Sequence, residues 1–280
     1  MKSNVRFLCA FTLIVWAFAC TGELDDFMLD ENGNPVNNEH IKSISSNGIA
    51  KRKFRYDSFG RLIEDGGTIF YNKYSYDGKG RLEKIESAFN SSLISSSYMD
   101  PNNPPRTELM TSDNSEITWK RLFKYDNQGR ISKIESYFKK DGKNFEFTGF
   151  NSFEYEGGNI CRENGCDDKG NINQFYEYTY DKRGNRITEK NKVCIFDGTP
   201  SNPKLNYETT YKYDNYKNPY QILNIAGPQF YTSANNMIKM TTIWYSDNSR
   251  KTTATQDFVY NTNDYPVKMI YDGGEEEYTY

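Results

Sequence analysis

Apolar and polar positions alternate in short bursts along most of the chain, and the bursts repeat one another. The stretch from Tyr74 to Ser87 reads YSYDGKGRLEKIES, and the stretch from Phe123 to Ser136 reads FKYDNQGRISKIES. Aligned on aromatic-x-aromatic, the copies are Phe54-Arg55-Tyr56, Tyr74-Ser75-Tyr76, Phe123-Lys124-Tyr125, Phe153-Glu154-Tyr155, Tyr178-Thr179-Tyr180, Tyr211-Lys212-Tyr213 and Phe258-Val259-Tyr260. The chain stops on Tyr278-Thr279-Tyr280, an eighth copy without its turn. Period-two alternation places aromatics on one face and polar residues on the other, which predicts β-strands. Sustained helical periodicity is absent.

Each copy carries its own punctuation. Asp57, Asp77, Asp126 and Asp181 follow the second aromatic, and Gly60, Gly80, Gly129 and Gly184 come three residues later. An Asp side chain there accepts from a backbone N–H two residues on. The glycine supplies the left-handed residue that closes a type I turn with a bulge. This geometry predicts that Asp57 faces Arg61, Asp77 faces Arg81 and Asp126 faces Arg130. One position further out, Tyr56 should pair with Leu62, Tyr76 with Leu82 and Tyr125 with Ile131. Two features sit awkwardly. Leu82 and Ile85 are three apart, as are Ile131 and Ile134, so a bulge intervenes or both faces are partly covered. Asn185 reads as an extra residue after Gly184, while Asn218-Pro219 and Asp264-Tyr265-Pro266 stand where glycine turns are expected. Asp214 is read as a turn former like the others.

Seven hairpins imply about fourteen strands or more, and a twisted sheet of that size avoids bare edges. The fold class is therefore all-β: a large antiparallel meander of these hairpins curled into a barrel, roll or open shell. Residues 40–280 form one domain. Three stretches depart from the pattern, Phe89 to Glu116, Asp197 to Asn206 and Asn224 to Asn236. They read as long loops or irregular hairpins, where binding sites concentrate.

Tyr76-Asp77-x-x-Gly80-Arg81-Leu82 resembles the YD repeat of RHS-type proteins, which build curled β shells. Together with the N-terminal features below, the chain looks still more like uncharacterised bacterial lipoproteins whose domain of unknown function has a porin-like antiparallel β fold. The resemblance covers about Ile41 to Tyr280. It implies a fold and carries no catalytic residue. The chain is too short to enclose a folded domain as RHS shells do.

The N-terminal stretch breaks the pattern. Lys2 and Arg6 precede an apolar run from Phe7 to Phe18, and Ala17-Phe18-Ala19-Cys20 follows, which reads as a signal peptide over residues 1–19. Cys20 is positioned like the lipidated cysteine of bacterial lipoproteins, with Ala17 and Phe18 departing from the usual lipobox. Residues 20–39 read as an acidic flexible tether, and Glu23-Leu24-Asp25-Asp26 resembles the surface-export signals of some Gram-negative lipoproteins. Cleavage before Cys20 would leave 33 basic against 38 acidic residues, a formal charge of −5. That balance argues against nucleic acid as a partner. Of the cysteines, Cys161, Cys166 and Cys194 remain beyond the anchor. Cys161 and Cys166 flank Glu163-Asn164-Gly165, read as a hairpin turn, so they are either a cross-turn disulfide or free thiols. No metal or cofactor is expected, because His40 is the only histidine and the cysteines are few. Asp167-Asp168-Lys169-Gly170-Asn171 lacks the spacing of an EF-hand and reads as a turn.

These observations point away from enzymatic activity. A Ser-His-Asp triad is excluded with His40 placed in the tether, and the recurrent aspartates are turn formers. A carboxylate-dependent glycan hydrolase is one alternative. An integral outer-membrane barrel is another, opposed by the charge on both faces around Glu275-Glu276-Glu277 and Lys120-Arg121. The expected function is a non-enzymatic, lipid-anchored protein of the outer membrane. It would face the cell surface, or alternatively the periplasm, and its partners would be the membrane through acylated Cys20 and a glycan or protein. Most aromatics should pack the sheet. Those off the repeat register are the candidates for ligand contact: Tyr98, Trp119, Tyr216, Tyr220, Phe230, Tyr231, Trp244 and Tyr245.

Overall fold

The computed structural model describes residues 40–89, 108–194, 202–221 and 233–280. Cys20, the Glu23–Asp26 stretch, Tyr98, Phe230 and Tyr231 lie outside the described residues. Sixteen antiparallel strands form a closed barrel in which each strand pairs with its neighbours in sequence and β1 closes on β16. They are β1 (Ser43–Ser46), β2 (Ile49–Tyr56), β3 (Leu62–Gly67), β4 (Phe70–Tyr76), β5 (Leu82–Phe89) and β6 (Trp119–Tyr125). The chain continues through β7 (Ile131–Lys139), β8 (Phe145–Glu156), β9 (Asn159–Cys166), β10 (Ile172–Tyr180) and β11 (Arg186–Val193). It ends with β12 (Lys204–Lys217), β13 (Asn235–Trp244), β14 (Arg250–Tyr260), β15 (Pro266–Tyr271) and β16 (Gly274–Thr279). Closure removes the edges that an open meander would expose.

The repeat aromatics form the core. Phe54, Tyr74, Phe123, Phe153 and Tyr278 are buried in one cluster with Ile44, Leu62, Leu82, Ile85 and Ile134, so this face of the sheet is the inside. The expected pairs Tyr56–Leu62, Tyr76–Leu82 and Tyr125–Ile131 are present in the register. One residue beyond each pair the register shifts, leaving Ile63, Glu83 and Ser132 unpaired as bulges. The bulge returns Ile85 to the face that holds Leu82, and Ile134 to the face that holds Ile131. That explains the awkward spacing of three.

The turns follow the sequence. In the first, the Asp57 N–H donates to the Arg61 carbonyl at 2.9 Å, and Asp57 Oδ1 accepts from the N–H groups of Phe59 (3.0 Å) and Arg61 (2.9 Å). Asp57 Oδ2 accepts from Arg61 Nε at 2.7 Å. Gly60, Gly80, Gly129 and Gly184 all have positive φ. Asn185 is not an insertion. It takes the arginine position, since the Asp181 N–H donates to its carbonyl, and Arg186 takes the leucine position opposite Tyr180. The Asn261 turn keeps the same geometry, with Asp264 at φ 67 in place of glycine. Asp167–Asn171 is also this turn.

Two readings need correction. Asn164-Gly165 is not a hairpin turn: Cys161 and Cys166 both lie on β9, and Cys161, Cys166 and Cys194 are free thiols. Strand pairing on both sides, with β8 and β10, holds this segment extended. Asp214 opens no hairpin turn but lies within β12 at a register shift, where its Oδ1 still accepts from the Tyr216 N–H at 3.0 Å, two residues on, and Asn236 from β13 and the Tyr260 hydroxyl also bond it. The departing stretches also contribute strand at their ends: Phe89 closes β5, Lys204 to Asn206 open β12, and Asn235-Asn236 open β13.

Neighbouring hairpins are linked by a contact that alternation does not reveal. Six of the eight repeat tyrosines donate their hydroxyl to the carbonyl at the leucine position of the preceding hairpin. These bonds are Tyr76 to Leu62 (2.8 Å), Tyr125 to Leu82 (2.6 Å), Tyr155 to Ile131 (2.7 Å) and Tyr180 to Ile160 (2.9 Å). Tyr213 bonds the Arg186 carbonyl at 2.7 Å and Tyr280 the Pro266 carbonyl at 2.8 Å. Of the other two, Tyr56 bonds the Ile41 carbonyl at 2.9 Å and Tyr260 bonds Asp214. The turn arginines lie over the next tyrosine ring, Arg61 on Tyr76, Arg81 on Tyr125 and Arg130 on Tyr155, at 4.2–4.6 Å. This is cation–π geometry.

Candidate functional site

The two ends of the barrel differ. One carries the Tyr-Asp turns, at residues 57–61, 77–81, 126–130, 181–185 and 261–265. The other carries the turns between β1 and β2, β3 and β4, β7 and β8, and β13 and β14. At the turn end the sixth repeat lacks its glycine turn. Asn218 is 5% exposed and starts a second turn: its Oδ1 accepts from Tyr220 N at 3.0 Å, and its Nδ2 donates to the Ser233 carbonyl at 2.7 Å. Pro219 is buried behind it.

Asn218, Pro219 and Tyr220 bound a lumenal cavity of about 480 Å³. Its walls come from both halves of the chain: Arg52, Asp65, Phe70, Asn72, Tyr74 and Arg121 on one side, and Asn236, Gln256, Phe258, Met269 and Tyr278 on the other. The volume lies in the range of small-molecule sites. Alternation places these residues here: Arg52 shares the inward face with Phe54 and Tyr56, Asp65 pairs with Phe54 and Asn72, and Phe258 pairs with Met269.

The charge inside is organised. Asp65 is fully buried and accepts from Arg52 Nε at 2.6 Å and from Arg52 NH2. Tyr74 contributes its hydroxyl at 3.4 Å. The guanidinium lies 4.7 Å from the Phe54 ring and 5.1 Å from the Phe70 ring. Burial pushes the phenols of Tyr220 and Tyr278 upward, the former to about 12, so both remain neutral donors. Burial also raises the Glu276 carboxyl, against the opposing pull of Arg52. Asn72 accepts from the Ser87 hydroxyl at 2.6 Å, and Gln256 Nε2 donates to the Met237 carbonyl. The cavity thus offers aromatic faces, planar amides and an internally neutralised ion pair.

A second polar wall lines the inward face of β8–β12. Glu163 accepts from Tyr178 at 2.9 Å and from Asn151 at 2.6 Å, and burial pushes its carboxyl up. Glu189 pairs with Arg186 at 2.9 Å and accepts from Tyr207 at 2.8 Å and Tyr211 at 3.4 Å. Protein groups hold both carboxylates. Among the described residues no His/Cys/Asp/Glu group has metal-holding geometry.

The candidate aromatics divide. Tyr220 lines the cavity. Trp119 is 38% exposed and packs on Phe138 at 4.9 Å, and Trp244 packs on Tyr207 at 4.9 Å, both on the inner face near the end opposite the Tyr-Asp turns. Tyr245 is exposed beyond β13. Tyr216 stacks on Tyr260 at 3.9 Å at the turn end. His40 stacks on the Tyr56 ring at 4.7 Å, so it belongs to the domain and not to the tether. Sequence reasoning missed Arg52 and Asp65. The available signal was that Arg52 falls on the same alternation as Phe54 and Tyr56.

No family model matches the chain, and no curated protein matches it. Among solved structures, the chain is similar to a porin-like protein from Bacteroides vulgatus, at 8% identity over 86% of this chain and 99% of that one, with a TM-score of 0.38. A porin-like protein from Bacteroides uniformis gives 13% identity over 85% of this chain and 97% of that one, TM-score 0.34. A TcdB2-TccC3-TEV structure gives 12% identity over 86% of this chain and 14% of that one, TM-score 0.29. At these scores the likenesses define neither a family nor an activity.

Proposed function

We propose that the chain is a non-enzymatic binding protein of the bacterial cell envelope that holds a small amphipathic ligand inside its barrel. In this reading residues 1–19 export it, Cys20 anchors it to the outer membrane, and the ligand is a neutral glycan. The observation that carries the reading is the lumenal cavity of about 480 Å³. Flat faces from Phe70, Phe258, Tyr74 and Tyr278 suit the apolar faces of a sugar ring. Asn72, Asn236 and Gln256 supply amides for hydroxyl groups. Because Asp65 already neutralises Arg52, that pair does not demand a charged ligand.

The outer face supports a barrel that sits beside a bilayer rather than within one. Cross-strand ion pairs cover it, including Arg55–Glu64 at 2.6 Å, Lys192–Glu177 at 2.9 Å and Lys268–Glu275 at 3.0 Å. A lipid-facing band carries its charge at a cost of about 2–4 kcal/mol for each midplane Lys or Arg. Saturation-transfer NMR on the secreted Cys20→Ala chain with a panel of neutral oligosaccharides tests the reading. Ring-proton saturation from at least one glycan, lost in Phe258→Ala, is the expected result. Silence across the panel would overturn the glycan assignment.

A further inference from the structure

The chain as a whole is acidic, at a formal −3, yet its outer face is not uniform. The strand register places Lys51, Lys53, Arg55, Lys73, Lys84, Lys120, Lys124, Lys133 and Lys139 on the outside of β2–β7. Glu64, Glu83, Glu86 and Glu135 share that side, and Glu116 ahead of β6 pairs with Lys139 at 3.0 Å, so nine basic groups face five acidic ones. On β8–β16 the outer charges nearly balance. There Arg162, Lys190, Lys192, Lys212, Lys239, Lys251 and Lys268 meet Glu154, Glu177, Glu208, Asp257, Glu275 and Glu277.

The basic arc has an apolar margin. At the end opposite the Tyr-Asp turns, Ile49 at the start of β2 is 46% exposed, Ile69 between β3 and β4 is 41% exposed, and Phe147, on β8 beside Tyr137 of β7, is 36% exposed. Lysines of the arc lie over aromatic rings on the same face, Lys120 near this end and Lys133 toward the Tyr-Asp turns. Lys120 Nζ is 4.6 Å from the Tyr137 ring and 4.8 Å from the Phe145 ring, and Lys133 Nζ is 3.9 Å from the Phe150 ring. Basic side chains that rest their stems on aromatics beside exposed apolar tips match the interface between water and lipid headgroups.

We infer that the outer face of β2–β7 docks on anionic lipid headgroups, with Ile49, Ile69 and Phe147 entering the headgroup layer. Charge complementarity selects the anionic surface, and the apolar margin selects a lipid over a soluble polyanion. This surface lies outside the barrel and does not depend on a lumenal ligand.

The test uses the secreted Cys20→Ala chain, so that no acyl group contributes, in co-sedimentation with phosphatidylcholine vesicles with and without phosphatidylglycerol. Binding is expected only to the anionic vesicles and should weaken with salt. Lys51→Gln, Lys53→Gln and Lys124→Gln should each lower affinity about fivefold, and together about a hundredfold. Ile49→Ser with Ile69→Ser should lower it about tenfold. Lys190→Gln with Lys212→Gln and Lys251→Gln should leave it unchanged, and thermal melts verify that every variant is folded. Equal binding to neutral vesicles, no binding by a folded chain, or equal loss in the control triple overturns the inference. So does full competition by heparin with no effect of the isoleucine changes, which would identify a soluble polyanion site.

Discussion

The arc from β2 to β8 and the arc from β11 to β16 are built from the same repeat, yet only the first follows it. In the regular arc each turn has its aspartate, glycine and arginine, the hydroxyls of Tyr76, Tyr125 and Tyr155 reach the preceding hairpin, and each guanidinium covers the next ring. In the second arc Arg186 replaces leucine, Asp264 replaces glycine, and Asn218-Pro219 replaces a turn altogether. The regular arc spends its turn aspartates and arginines and its rim tyrosines on itself, and lends the cavity Arg52, Asp65, Asn72 and Arg121. The irregular arc supplies Asn218, Pro219, Tyr220, Asn236, Gln256 and Phe258 to the cavity. The repeat closes the wall, and the cavity lies between that wall and the stretch where the repeat breaks down.

The largest effect is expected at the lumenal ion pair of the first arc. Asp65→Ala leaves the Arg52 guanidinium without its buried carboxylate, and a loss of about 3 kcal/mol is expected in urea unfolding. Next comes Asn218→Ala, which removes two hydrogen bonds at a buried site. It should cost about 1–3 kcal/mol and weaken any lumenal ligand as well. In the regular arc Gly129→Ala forces a side chain into φ 79 with open space around it, so only backbone strain acts, about 1–2 kcal/mol. Tyr125→Phe removes one hydroxyl bond and should cost about 1 kcal/mol without touching ligand binding. A cost at Tyr125 as large as that at Asp65 would show that the rim bonds, not the lumenal pair, hold the barrel.

The smallest effects are in pH dependence, and they have opposite signs. Burial alone would raise the Asp57 carboxyl, but the Arg61 guanidinium and the N–H groups of Arg61 and Phe59 outweigh it and hold it below the usual range. Its contribution is complete above about pH 4 and is lost as pH falls through the lowered value. Glu163 is raised by burial against the help of Tyr178 and Asn151. The folded state therefore keeps its proton to higher pH, and stability declines as pH rises from the unfolded carboxyl value through the raised one. Urea midpoints across acidic pH should show this decline in wild type and not in Glu163→Gln.

Most of the regular arc was legible in the sequence because its determinants are local. Period-two alternation, Asx turns and glycines suited to positive φ marked the strands and the Tyr–Leu pairs, and the odd spacing of Leu82 and Ile85 left a bulge as one of two explanations, which the register decides. Barrel closure between β1 and β16 was one of three outcomes the alternation allowed, since pairing between distant strands leaves no local mark. The tyrosine–carbonyl bonds run between hairpins and were invisible for the same reason. The break at Asn218-Pro219 was visible, but not its direction, which depends on Ser233 and Ala234 across the connection. Asn164-Gly165 misled because turn chemistry yields to strand pairing on both sides.

The lumenal cavity between the regular wall and the broken repeat is the proposed binding site, and the tyrosine bonds at the rim are not part of it. Isothermal titration of the Cys20→Ala chain with neutral oligosaccharides, run beside Tyr220→Ala and Tyr125→Phe, addresses this assignment most directly. The account predicts one-site binding of at least one glycan, weakened tenfold or more by Tyr220→Ala and unchanged by Tyr125→Phe. No binding, or binding indifferent to Tyr220→Ala, would contradict it.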